Sequence, residues 1–188
     1  MVGFGYEGTA PRRARSFPAY GPVDTAISYA VFYIFVDYAT PTVVDAAAIV
    51  FPSVSPSSVR FGLAALLWFV LVVTLLDQAR RQLAALGVGV KDAYQSRGHP
   101  GVPSATWMVV YGGLALVGGA IASLTFDRAL ETGRELILFF ATLDLARFVP
   151  ADFVLLVVFF VSFGVATFAL DRLVIGGVRA VVPPTGGV

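Results

Sequence analysis

ATWMVVYGGLALVGGAIASLTF, residues 105–126, is a run of 22 residues without a charge. A helix needs about 20 mainly apolar residues to cross the hydrocarbon core of a bilayer. This run meets that length, and its neighbours repeat the pattern. Residues 153–170 are 18 uncharged residues and 61–76 are 16, with Arg60 placed to reach the interface by snorkelling. Residues 23–40 form a fourth apolar segment that carries Asp24 near its start and Asp37 near its end.

Composition agrees with four spans. The 188 residues are 57% hydrophobic and 13% charged, and mean hydropathy is +0.82. Soluble domains carry roughly 25% charged residues. A chain this apolar cannot cover a water-facing surface. The expected fold is therefore an all-α integral membrane protein, a four-helix transmembrane bundle. The spans are expected at about 23–40, 59–76, 105–126 and 152–172. A basic N-terminal segment (1–22) precedes the membrane domain (23–176), and a C-terminal tail (177–188) follows it.

Two further elements are expected. Pro41 disfavours the helical conformation at Thr40, and Thr40–Pro41 suits the start of a new helix. A separate short helix over 41–51 follows. Residues 127–149 carry Asp127, Glu131, Arg134 and Glu135 on one face. Only 136–143 is uncharged there, too short to span. An amphipathic helix at the interface is expected.

Basic residues set the orientation, because cytoplasmic loops carry excess Lys and Arg. Four spans put nine of the 13 basic residues on one side. Both termini and the 77–103 loop are then expected in the cytoplasm, with the protein in the cell membrane.

Several chemistries lack their residues. Cysteine is absent, His99 is the one histidine and Lys91 the one lysine. Haem, zinc and copper sites need several such ligands, so no cofactor and no metal site is expected. No nucleophile elbow, P-loop or dinucleotide turn is present. A net charge of +1 gives no sign of nucleic-acid binding.

Two features remain. In residues 23–40 helical spacing puts Thr25, Tyr29, Tyr33 and Asp37 within an arc of roughly 120°. A polar stripe on a membrane helix belongs against protein or water. It is either a buried pathway or binding face, or the wet end of a span with interfacial tyrosines. The third span carries Gly112, Ala115, Gly118, Gly119, Ala122 and Ser123, small residues of the kind that let membrane helices approach closely. Gly119 is expected in such a contact. The chain is thus expected to be non-catalytic, an accessory or assembly subunit of a larger membrane complex. Its partners would be membrane lipids and other subunits or itself. The alternative is a self-associating channel or transporter for a proton, cation or small polar solute along Tyr29, Tyr33 and Asp37.

Overall fold

A computed structural model describes residues 20–85, 104–145 and 148–181. The expected basic segment around Arg12, Arg13 and Arg15, the loop with Lys91 and His99, and the end of the tail lie outside these residues. The described chain is all-helical. It has four helices: α1 (Pro22–Val50), α2 (Pro56–Ala85), α3 (Ala105–Thr142) and α4 (Pro150–Val181). Each is long and apolar enough to cross a membrane.

Helices α3 and α4 form an antiparallel pair. Gly118 of α3 lies against Ser162 and Ala166 of α4, and Arg128 meets Asp152. The close approach exists because residue 118 has no side chain. A Cβ there would stand 2.8 Å from the Ser162 carbonyl oxygen. Helix α1 crosses this pair and runs antiparallel to α4. Its start meets Asp171, and Phe35 packs on Phe126, Phe159 and Phe160 with ring centroids 5.6–6.1 Å apart. These rings surround the core residues Ala122, Ala129 and Phe159.

Helix α2 stands apart. Among the described residues its backbone approaches only α1, and none of its spanning window is buried. The bundle is a three-helix packing unit with a fourth helix on its flank.

The separate helix expected over 41–51 is not found. Helix α1 continues through Pro41 to Val50. Proline removes one N–H from the ladder, and the loss falls on the Asp37 carbonyl four residues back. Tertiary contact carries the helix past this defect. Thr42, Val44 and Ala46 are buried, and Arg134 of α3 donates Nε–H to Thr42 Oγ1 at 2.8 Å.

Nor is 127–149 a separate helix. Helix α3 is continuous for 38 residues, about 57 Å at 1.5 Å per residue. Arg, Ala, Leu and Glu in the segment from Asp127 to Glu135 are good helix formers, and its other side is apolar. Ala129, Leu130 and Thr132 are buried, so this segment packs on the bundle. The helix ends at Leu143, which is left-handed at φ 52° and donates its N–H to the Phe139 carbonyl. No glycine marks that stop. Helix α4 in turn runs to Val181, past the expected start of the tail at 177.

Candidate functional site

The stripe on α1 is divided by its neighbours. Thr25 Oγ1 accepts a 2.5 Å hydrogen bond from Gln78 Nε2 of α2. The Tyr29 hydroxyl donates to the Leu67 carbonyl of α2 at 3.3 Å. This half of the stripe is the α1–α2 seam. Tyr33 and Asp37 lie beyond it, and both are exposed. Among the described residues neither has a hydrogen-bond or ion-pair partner. The four residues form no continuous hydrogen-bonded ladder.

The direction of Asp37 follows from helix geometry. Asp37 is two residues, about 200°, from Phe35. Phe35 points into the aromatic core, so Asp37 points away from the bundle. It stands at the level of the charged turns of α3, because Phe35 packs on Phe126 and lies against Gly133, and Tyr38 meets Arg134. The carboxylate is therefore on the outer side of the bundle, near the polar end of α3.

The small residues of α3 also divide. Gly118 and Ala122 are buried in the α3–α4 contact. A Cβ at Gly112 or Gly119 would meet nothing within 4 Å. The close helix contact is at Gly118, one residue before the expected Gly119. Gly119 lies about 100° around the helix from Gly118. With Ala115 and Ser123 it lines an open groove of about 420 Å³ between α1, α3 and α4.

Sequence reasoning missed two polar clusters. The first joins the start of α1 to the ends of α2 and α4. Asp171, buried on α4, accepts the N–H groups of Gly21 at 2.8 Å and Val23 at 3.1 Å. Helix N-termini carry unsatisfied N–H groups and partial positive charge, and here a distant carboxylate supplies the cap. Gly21 sits at φ 120°, a conformation that suits glycine, and its carbonyl accepts from Gln78. The guanidinium carbons of Arg172 and Arg179 each lie 4.0 Å from the centre of the Tyr20 ring. A signal existed. Asp171 and Arg172 are followed by Leu-Val-Ile-Gly-Gly-Val, so the apolar helix continues past the charged pair rather than ending in water.

The second cluster is at the opposite end. Arg128 bonds Asp152 at 3.1 Å and Glu131 at 3.0 Å. Arg134 holds Thr42, and its guanidinium carbon lies 5.6 Å from the centre of the Tyr38 ring. These residues border a polar cavity of about 550 Å³ with Glu135 and Thr132. Two arginines among three carboxylates tie α1, α3 and α4 together. They leave no surplus of positive charge for an anion. Among the described residues no three His, Cys, Asp or Glu side chains gather as metal ligands.

The chain matches no protein-family model, and no curated protein or solved structure is similar to it.

Proposed function

We propose that the chain is a non-catalytic subunit that assembles with other membrane proteins. Asp37 carries this reading. An acid on the outer face of a membrane helix faces protein or water rather than acyl chains. Asp37 faces away from its own bundle, next to exposed Tyr33. A partner helix that brings an arginine, lysine or hydroxyl to this face would satisfy both groups. The flanking position of α2 supports the same reading, since among the described residues α2 packs only on α1 and offers an outer apolar face with Trp68 and Phe69.

The test is extraction from native membranes in mild detergent, followed by native gel electrophoresis and mass spectrometry. The wild-type chain is expected in a complex with other membrane proteins. Asp37→Asn is expected to release a folded, free chain. A wild-type chain that runs alone, with Asp37→Asn unchanged, overturns the reading.

A second reading rests on the same face. In a homo-oligomer, Tyr33 and Asp37 of several copies would line a pathway for a proton or cation. It requires a homo-oligomer in that experiment, and ion flux into vesicles that Asp37→Asn removes.

A further inference from the structure

Unlike charges three residues apart on a helix stand within reach of each other and attract. Glu131 and Arg134 hold that spacing on α3, yet they do not pair. Glu131 Oε2 bonds Arg128 at 3.0 Å, and Arg128 in turn reaches Asp152 of α4 at 3.1 Å. Arg134 turns the other way, to Thr42 and the Tyr38 ring of α1. Between these two arrangements lies the polar cavity of about 550 Å³.

The cavity therefore has two charged walls. The wall toward α4 sets two carboxylates around one guanidinium, a surplus of one negative charge. The wall toward α1 carries the guanidinium of Arg134. Glu135 also lines the cavity and has a contact of its own. Among the described residues Glu131 Oε1, Asp152 Oδ2 and the terminal nitrogens Nη1 and Nη2 of Arg134 make no hydrogen bond. Acceptors thus stand on one wall and donors on the other. Phe148, Val149 and Phe153 add apolar lining. Arg128 and Glu131 are more than half exposed, so the cavity is reached from outside the bundle. Its volume falls within the range of small-molecule sites, about 300–1,000 Å³.

This arrangement selects by charge. A simple anion meets the carboxylates of the α4 wall, and a simple cation meets Arg134. A molecule that carries both charges a few bonds apart satisfies both walls at once. A primary ammonium brings three donors to the carboxylates, and the fork of Arg134 suits a carboxylate or phosphate.

We propose that this cavity binds a small zwitterion, with a primary ammonium at Glu131 and Asp152 and a carboxylate or phosphate at Arg134. Amino acids and the ethanolamine headgroup of a phospholipid share that chemistry. The inference goes beyond assembly through Asp37 and does not depend on it.

The full chain in a maltoside detergent is titrated with leucine, glycerophosphoethanolamine, glycerophosphocholine, ethanolamine or glycerol 3-phosphate, and thermal unfolding is followed. A saturable rise in melting temperature is expected with leucine or with glycerophosphoethanolamine. The one that acts names the source, a free amino acid or a lipid headgroup. Ethanolamine and glycerol 3-phosphate carry one charge each and are expected to have little effect. Glycerophosphocholine, whose quaternary ammonium donates no hydrogen bond, is expected to bind about tenfold more weakly than the zwitterion that acts. Glu131→Gln and Arg134→Gln are each expected to weaken the response by about the same factor. Leu124→Phe, at a position 86% exposed on α3, is expected to leave it intact. A response to neither zwitterion overturns the inference. So does an equal response to ethanolamine or glycerol 3-phosphate alone, or a response that Glu131→Gln leaves unchanged.

Discussion

Asp171 caps Gly21 from 150 residues away, with its Oδ2 2.8 Å from the Gly21 nitrogen. The first helix of the chain thus has its start fixed by the last. Local capping does not do this work, because Gly21 occupies the cap position and has no side chain.

Removing that carboxylate is therefore expected to loosen α1. Asp171→Ala should lower stability in detergent by about 1–2 kcal/mol, the range of a lost helix cap. Asp171→Asn should lose less, because its amide oxygen still accepts one N–H. Asp77 is the natural control. It follows Leu76 as Asp171 follows Leu170, but it is exposed and pairs with Arg81 on its own helix at 2.7 Å. Exposed pairs contribute about 0–1 kcal/mol, so Asp77→Ala should change little. Equal effects at both positions, read by thermal unfolding, would remove the capping argument.

The two neighbouring glycines of α3 should separate cleanly. Gly118→Leu drives a side chain into the Ser162 backbone and is expected to cost more than the roughly 1–3 kcal/mol of an overpacked core. Gly119→Leu meets open space and should leave the isolated chain as stable as wild type. If Gly119→Leu instead breaks a complex without unfolding the chain, that face of α3 belongs to a partner. Thermal melts in detergent, set beside native gels, distinguish the two.

Legibility followed the range of the interactions. Four apolar helices could be read from residues 23–40, 61–76, 105–126 and 153–170, because the bilayer's requirement is a length and a composition. The continuations of α1 and α3 could not. Pro41 and the charges from Asp127 to Glu135 are local signals that argue for breaks. What overrides them is the bond from Arg134 to Thr42, 92 residues apart, and the burial of Ala129 and Leu130. The stop at Leu143 rests on a left-handed residue that is neither Gly nor Asn, so no residue type announced it. The stripe at Thr25, Tyr29, Tyr33 and Asp37 was legible as a face. Its division between a seam and an open surface was not, since that depends on where α2 lies.

Phe159 is 1% exposed and sits at the centre of the ring cluster. Within a bilayer the transfer contribution is small, because lipid tails are as apolar as the core. The cavity contribution remains. Phe159→Ala is expected to cost about 2 kcal/mol, and Phe159→Leu clearly less. Equal melting temperatures for the two variants would show that the cluster collapses around the gap.

Topology admits a direct check, because the chain has no cysteine. Lys91→Cys and Ser57→Cys should react with an impermeant thiol reagent from opposite sides of the membrane. Position 91 should be reached only after cells are opened, and position 57 in intact cells. The reverse pattern would invert the orientation drawn from the basic residues.

The tie between Gly21 and Asp171 also orders biosynthesis. Ribosomes add roughly 5–20 residues per second, so Asp171 is made about 8–30 s after Gly21. Throughout that interval the N–H groups at the start of α1 lack their acceptor. Helix α1 enters the membrane early, yet its seat is completed only when nearly the whole chain has been translated. A nascent chain stalled before α4 would carry an unfinished first helix, which makes that end a natural point of engagement for insertion factors.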